Sequence, residues 1–289
     1  MDTQEFLSKI KDEGIEYVDI RFTDTRGALQ HVTIVSDLVD EDFLEEGFMF
    51  DGSSIAGWKS IEASDMKLML DTDTAYVDPF YAEKTICVHC SVVEPDTGEA
   101  YERDPRGTAQ KAEAYLKASG IGDVAYMGPE AEFFLFDNVK FSNSINKVSY
   151  EVDASDASWN TDTDYEMGNM GHRPGLKGGY FPVNPTDEAQ DLRAEMLSTM
   201  KRLGMKVDKH HHEVASCQHE LGLIFGTLTE QADELQKYKY VIHNVAHAYG
   251  KSATFMPKPI YGDNGSGMHV HMSISKDAKK TFAGEGYAG

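Results

Sequence analysis

The first hundred residues carry short runs in which apolar and polar positions alternate. Residues 18–22 place Val, Ile and Phe at every second position, which predicts a β-strand. Residues 29–35 follow a turn and predict the returning strand, and residues 84–93 predict a further strand. Ahead of them, apolar residues recur at helical spacing, so we expect a short helix that is capped by Thr3 and ended by Gly14.

Helical periodicity becomes prominent from residue 104 onward. Asp104 is a candidate N-cap, Pro105 occupies the first helical position, and Gly120 ends the predicted helix. The pattern then predicts two helices that begin after a threonine and end at a glycine, at 187–203 and 229–250, and three strands, at 126–136, 212–217 and 268–275. The change from alternating to helical periodicity near residue 104 predicts an α+β protein with one domain over 1–103 and a second over 104–289.

Two polar segments interrupt the pattern. Residues 47–60 are rich in Gly and Ser and predict an ordered loop, while residues 151–180 predict a long surface loop. The aspartates of the second segment lack the glycine and glutamate register of a calcium loop. We therefore expect a solvated acidic face formed by Asp153, Asp156, Asp162 and Asp164.

The charge balance argues against several classes of function. The chain has 27 Lys and Arg against 49 Asp and Glu, a net charge of −22, which disfavours a nucleic-acid or anionic-membrane partner. No apolar run approaches the roughly 18 residues of a membrane span. The N-terminus lacks the features of a secretory signal, and three cysteines fit a reducing compartment, so we expect a cytoplasmic protein. Cys87 and Cys90 are a poor zinc pair, because on a strand their thiols face opposite sides.

A pair of carboxylates precedes an apolar run on the strand predicted at 126–136. Glu130 and Glu132 are two residues apart, so they project from the same face of that strand. Neighbouring carboxylates at the end of a buried strand repel each other unless a cation lies between them. From spacing alone, a metal site and a strand end exposed to water both remain open.

Histidine and glycine concentrate in two later segments. Residues 210–220 contain four His and two Glu, a set of ligands that suits a divalent metal. The glycine-rich turn 262–267 leads into a strand on which His269, His271 and Ser273 share one face. Because hard oxygen ligands favour Mg²⁺ or Mn²⁺ over zinc, the three segments together predict a divalent metal beside a nucleotide or phosphate.

The motifs in these segments resemble those of bacterial type I glutamine synthetases. The resemblance rests on Phe-Asp-Gly-Ser-Ser-Ile-Ala-Gly-Trp at 50–58, Gly-Pro-Glu-x-Glu at 128–132, His-His-Glu at 211–213, Lys-Pro at 258–259, Asn-Gly-Ser-Gly-Met-His at 264–269 and His-Met-Ser at 271–273. It implies an N-terminal β-grasp domain and a catalytic domain built on a curved antiparallel sheet. The implied reaction is the ATP-dependent ligation of ammonia to L-glutamate through a γ-glutamyl phosphate, in nitrogen metabolism.

The resemblance also implies roles for individual residues. Two metal ions, Mg²⁺ or Mn²⁺, would be held at one position by Glu132, Glu213 and Glu220, and at the other by Glu130 and His269. ATP would contact Phe225, His271 and Ser273, glutamate would contact Asn264 and Gly265, and Asp51 would bind ammonium and help to deprotonate it. Ser54 and Trp58 would lie in a loop that joins the neighbouring subunit's site. The expected assembly is a homododecamer.

The chain departs from the family pattern in two places. Family chains continue well beyond residue 289, so we expect a C-terminally truncated chain that is inactive by itself, although the full-length form would be a ligase. The alternative is a non-catalytic fragment that binds metal or nucleotide, or joins the ring passively. Glu213 and Glu220 are seven residues apart, which is the shorter of the family's spacings. A related ligase could use an amine in place of ammonia, although Asp51 favours ammonia.

Overall fold

The computed structural model describes residues 1–164, 166, 168–169 and 171–286. Within these residues the α-helices are α1 (Thr3–Asp12), α2 (Glu41–Glu46), α3 (Pro105–Ser119), α4 (Gln190–Arg202) and α5 (Leu228–Ala248). The strands are β1 (Tyr17–Thr23), β2 (Leu29–Val35), β3 (Phe48–Asp51), β4 (Asp65–Leu70), β5 (Tyr76–Val77), β6 (Thr85–Val93), β7 (Val124–Phe136), β8 (Asn138–Ser144), β9 (Lys147–Asp153), β10 (Val207–His212), β11 (Gln218–Leu223), β12 (Gly226–Thr227), β13 (Ser252–Thr254), β14 (Met268–Lys276) and β15 (Lys279–Lys280).

The chain divides into two compact units. The first contains Met1–Tyr126, Thr227–Gln236 and the chain from Ser273, and the second contains Met127–Gly226 and Lys237–Met272. In the first unit, a six-stranded sheet has the order β2-β1-β6-β4-β3, with β5 beside β6. Strand β1 is antiparallel to β2 and parallel to β6. The predicted strands at 18–22, 29–35 and 84–93 are therefore confirmed.

Burial along β1 differs from the alternation that the sequence predicts. Asp19 and Arg21 occupy the polar positions of this strand, yet both side chains are buried. Arg21 Nε lies 2.6 Å from Asp19 Oδ2, and its Nη2 lies 3.1 Å from Asp78 Oδ2. Thr33 Oγ1 donates a 2.6 Å hydrogen bond to Asp19 Oδ1. The charges can be buried because each has a partner of opposite charge.

Most of a second sheet, which is largely antiparallel, lies in the second unit, and β7 is near its middle. The sheet has the order β10-β11-β7-β14-β15, and β12 and β13 also pair with β7. Helix α4 packs beside β10. The hydroxyl of Tyr238 on α5 donates a 2.7 Å hydrogen bond to the carbonyl of Ala131 and accepts one from the amide of Leu221. These bonds tie helix α5 to neighbouring strands β7 and β11.

Two of the predicted helices begin differently from expectation. Asp2, rather than Thr3, caps α1: its Oδ1 accepts a 2.8 Å hydrogen bond from the Glu5 amide, and the Glu5 carboxylate accepts one from the Asp2 amide. Helix α4 begins at Gln190 without a side-chain cap, so the predicted threonine cap is wrong. Helix α3 is as predicted, with Asp104 as its N-cap.

Between residues 138 and 217 the structure differs from the sequence prediction in further ways. Residues 138–153 form the β8–β9 hairpin, which overlaps the start of the predicted loop at 151–180. Of the strand predicted at 212–217, residues 213–217 instead form the connection between β10 and β11. Asp156 is 8% exposed, so it does not belong to a solvated acidic face. Its carboxylate is buried because it meets a histidine from β10.

No helix among the described residues has the length and apolar character needed to cross a bilayer.

Candidate metal-binding site

Three neighbouring strands of the second unit bring ionisable side chains into one row. The antiparallel register places His211 of β10 opposite Glu220 of β11, and Glu220 opposite Glu132 of β7. Residues opposite each other in a sheet project from the same face. Side chains two residues along each strand, such as Glu130 on β7 and Gln218 on β11, lie on that face as well.

His211, Glu213 and Glu220 converge at one end of this row. His211 Nδ1 lies 3.5 Å from Glu213 Oε1, and its Nε2 lies 3.7 Å from Glu220 Oε1. One candidate ligand atom from each residue lies within 4.8 Å of the others, a separation that a single metal ion can bridge. The sequence predicted both glutamates as ligands, and the structure adds His211 to the cluster.

The carboxylates perturb the proton affinities of this cluster. Burial raises the pKa of Glu213, and the nearby charges of Glu132 and Glu220 raise it further, against a hydrogen bond from the Val214 amide. Burial acts to lower the pKa of His211, but the hydrogen bond to Glu220, the negative charges of Glu220 and Glu213 and a backbone hydrogen bond at His212 together outweigh it and raise that pKa. Neighbouring carboxylate charges contribute to the rise of both pKa values. A divalent cation fits a set of donors that is rich in carboxylate oxygen.

Gln218 and Gly267 hold the carboxylate of Glu132. Its Oε2 accepts hydrogen bonds from Gln218 Nε2 and, at 3.0 Å, from the amide of Gly267. A Cβ on Gly267 would lie 2.8 Å from Glu132 Oε1 and 3.1 Å from His269 Nε2. The carboxylate and the imidazole therefore border the space directly over Gly267, and only glycine leaves that space open.

Gln218 also joins this carboxylate to the glycine-rich turn. Its Nε2 donates a 2.9 Å hydrogen bond to the carbonyl of Gly265, and its Oε1 accepts one from the amide of Ala215. Gly265 packs so closely on the preceding segment that a Cβ would lie 2.2 Å from the Pro257 carbonyl oxygen. Sequence reasoning missed Gln218, although its position two residues before Glu220 on a strand was a usable signal.

Other predicted residues of the second unit lie around Glu130 and Gly128. His271 Nε2 is 3.3 Å from Glu130 Oε2. A Cβ on Gly128 would lie 3.5 Å from the Cβ of Phe225 and 3.7 Å from that of His271, so these two side chains flank one point of β7. Phe225 is 63% exposed.

Asn264 lies in the glycine-rich turn, and Ser273 lies on strand β14. The Asn264 amide donates a 3.0 Å hydrogen bond to Asp263 Oδ1. Ser273 follows His271 by two residues on β14 and is half-buried.

Asp51, Ser54 and Trp58 lie in the first unit. The exposed Asp51 carboxylate accepts hydrogen bonds from the amide and hydroxyl of Ser53, at 2.9 and 2.6 Å, and from the hydroxyl of Ser54 at 3.2 Å. The hydrogen bond from the Ser53 hydroxyl is the main reason that the pKa of Asp51 is lowered. Asp51 is thus held as an accessible anion, which suits a cation-binding role.

Trp58 is buried inside its own unit rather than presented at a surface. Its indole Nε1 donates a 2.8 Å hydrogen bond to Thr25 Oγ1, and its ring packs within 5.2 Å of the Tyr101 ring and 5.6 Å of the Phe22 ring, between centroids. The side chain therefore stabilises the core of this unit.

Comparison with known proteins places these features in one family. The family model for "Glutamine synthetase, beta-Grasp domain" matches residues 14–95, and that for "Glutamine synthetase, catalytic domain" matches residues 102–289. A glutamine synthetase of Cereibacter sphaeroides is 75% identical over 282 residues, covering 98% of this chain and 60% of the relative. That of Rhodobacter capsulatus is also 75% identical, covering 98% of this chain and 64% of the relative.

Solved structures agree with this assignment. A cryo-EM structure of Plasmodium falciparum glutamine synthetase aligns with a TM-score of 0.91 at 27% identity, covering 99% of this chain and 56% of that chain. The chain spans about 60% of the length of the curated relatives that it matches. The predicted α+β architecture with a β-grasp domain ahead of a catalytic domain is confirmed, and the chain belongs to the glutamine synthetase family.

Proposed function

We propose that the protein containing this chain is a glutamate–ammonia ligase that forms glutamine from L-glutamate, ammonia and ATP. The observation that supports this most strongly is the row of Glu132, Glu220 and His211 on one sheet face, beside a glycine-rich turn. Several carboxylates gathered at one site are a usual means of holding the divalent cations of phosphoryl transfer. The 75% identity to named glutamine synthetases supports the same reaction.

Activation of glutamate is the chemical problem that this site has to solve. The γ-carboxylate is a poor electrophile, since its leaving group would be oxide. Attack of a γ-carboxylate oxygen on the terminal phosphorus of ATP gives γ-glutamyl phosphate and releases ADP. Ammonia then attacks the acyl carbon and expels phosphate, which is a good leaving group.

Mg²⁺ or Mn²⁺ is proposed as the cofactor, held by Glu132, Glu213 and Glu220 at one position and by Glu130 and His269 at the other. When bound, the ions neutralise charge on the transferring phosphoryl group. We assign the exposed Phe225, with His271 and Ser273, to nucleotide binding. Asn264 and Gly265 are assigned to glutamate binding. The Gly265 carbonyl can accept a hydrogen bond from its ammonium group, and the side-chain amide of Asn264 can donate one to its carboxylate.

Asp51 is proposed to attract ammonium and to accept its proton. Hydrogen bonds within its own loop keep this carboxylate ionised, which is the state that both roles require. We further propose that the loop carrying Asp51, Ser54 and Trp58 serves the site of a neighbouring subunit in a cytoplasmic homododecamer. Sedimentation velocity of the full-length protein would test the assembly.

The test of the proposed function is glutamine formation by the full-length protein, with each of ATP, glutamate, ammonium and Mn²⁺ omitted in turn. Glu220→Gln removes one carboxylate from the row and should reduce turnover by at least about 100-fold. Glu151→Gln is the matched control, because Glu151 lies on the exposed β8–β9 hairpin and pairs there with Lys140. Equal activity of the two variants would contradict the assignment of the site.

The 289-residue chain should be assayed alongside. We expect this chain by itself to bind Mn²⁺ without forming glutamine, which is the behaviour that the non-catalytic alternative predicts. Turnover by these residues alone would contradict that expectation.

A further inference from the structure

A buried cluster lies behind the row of metal-facing carboxylates. Because successive side chains on a strand point to opposite faces, His212 and His219 project away from the face that carries His211 and Glu220. The register pairs His212 with His219 across β10 and β11. Both imidazoles are about 1% exposed, and their centroids lie 4.9 Å apart.

Asp156 is the carboxylate that meets this cluster. Its Oδ2 lies 3.1 Å from His212 Nε2 and 3.3 Å from the backbone nitrogen of Cys217. The other ring nitrogen of His212, Nδ1, lies 2.6 Å from the carbonyl oxygen of Glu213. A continuous chain of polar contacts thus runs from Asp156 through the imidazole to the main chain of a proposed metal ligand.

The same carboxylate fixes the turn between the two proposed ligands. Cys217 has a φ of 64°, a conformation that is uncommon for a residue with a side chain. Its amide is held by Asp156, and the amide of Ser216 donates a 3.1 Å hydrogen bond to Asp263 Oδ2. Only this turn separates Glu213 from the strand of Glu220, so its conformation sets how the two carboxylates face each other.

We propose that Asp156 is a positioning residue for the metal site: through His212 and the Cys217 amide it fixes the main chain around Glu213, so that the Glu213 and Glu220 carboxylates converge on one cation. This inference rests on the proposed metal-binding function. Asp156 would act through His212, whose side chain projects from the sheet face opposite to that of His211 and Glu220. Partners of this kind typically change metal affinity by about 10- to 100-fold when they are removed.

Asp156, His212 and His219 are also close enough to form a metal site of their own, with one ligand atom from each within 4.8 Å. Arg193 argues against that interpretation. Its Nη1 lies 3.1 Å from His219 Nδ1, and a guanidinium can only donate, so Nδ1 accepts and the proton of the neutral ring resides on Nε2. His219 therefore offers the cluster an N–H group rather than a lone pair.

The experiment is a Mn²⁺ titration of the purified full-length protein, followed by electron paramagnetic resonance and by calorimetry. Asp156→Asn should weaken Mn²⁺ binding by about 10- to 100-fold and alter the spectrum of the bound ion. Asp153→Asn is the matched control: that carboxylate lies three residues away and is hydrogen-bonded to Trp159 and Asn160. It should bind Mn²⁺ like the wild type.

Asp156→Glu keeps the carboxylate and should restore part of the affinity. A cavity of about 230 Å³, which Asp156 and His219 line, leaves room for the extra methylene. Circular dichroism and thermal unfolding show whether each variant folds. If Asp156→Asn does not fold, Asp156→Glu decides, because a small shift of the carboxylate should still weaken Mn²⁺ binding and change its spectrum.

The outcomes separate this inference from the function on which it rests. If a folded Asp156→Asn variant has the Mn²⁺ affinity and spectrum of the wild type, the positioning role is wrong and the proposed metal site still holds. If Asp156→Asn does not fold, the same result in Asp156→Glu has the same meaning. A wild-type chain that binds no Mn²⁺ would overturn both. If Asp156→Asn loses Zn²⁺ binding but keeps Mn²⁺ binding, Asp156 belongs to a separate metal site and the positioning role is wrong.

Discussion

Substitution of Gly267 by alanine is expected to damage metal binding while leaving the fold intact. The new Cβ would lie 2.8 Å from Glu132 Oε1, whereas ordinary contact begins at 3.4 Å, so the carboxylate has to move away. Oε1 belongs to the end of a flexible side chain, and Gly267 does not have a positive φ, so the backbone accepts alanine. The steric conflict is therefore relieved at the carboxylate rather than in the main chain.

The size of the effect follows from how tightly metal ligands are positioned. Distances to a metal are satisfied only within about 0.2 Å, which is less than the displacement that the new methyl group requires. Swinging the carboxylate also strains its hydrogen bonds from Gln218 and from the Gly267 amide. We expect a loss of about 1.4 to 2.8 kcal/mol in Mn²⁺ binding, which is about 10- to 100-fold in Kd. The free energy of unfolding should change by less than about 1 kcal/mol.

The assay is a calorimetric Mn²⁺ titration together with urea unfolding in the absence of metal. Gly175→Ala is the matched control, because a Cβ there meets nothing within 4 Å and its φ is not positive. If Gly267→Ala bound Mn²⁺ as tightly as Gly175→Ala, the space over Gly267 would not belong to the metal site.

Two further predictions concern the first unit. Burial acts to raise the pKa of Asp19, but hydrogen bonds, first that from Thr33, outweigh it and hold that pKa below its ordinary value. The folded state then binds fewer protons, so ionised Asp19 stabilises the fold above pH about 4 and this contribution is lost as the pH falls below that value. The difference in free energy of unfolding between wild type and Asp19→Asn, measured with urea, should narrow as the pH falls from 6 to 3. A difference that stays constant over this range would contradict the ionic role. Trp58→Ala should cost about 3 to 5 kcal/mol of unfolding free energy, whereas Ala in place of Trp159, which is 40% exposed, should cost far less.

Local spacing explains why much of the candidate site is visible in the sequence. The period of two along a strand is enough to place Glu130 with Glu132, and His269 with His271, on a common face. Helix α3 is predicted because its N-cap and its terminating glycine are local signals. The motifs then carry the family assignment. These features depend on neighbours within a few residues along the chain.

The tertiary structure decided which strands are neighbours and which polar residues are buried. The row of Glu132, Glu220 and His211 exists only because β7, β11 and β10 pair in that register, and no local pattern states it. The sequence predicts a solvated Asp156 because its partner, His212, lies 56 residues further along the chain. A buried carboxylate is stable only beside such a partner, so its environment is fixed by folding and not by its local sequence.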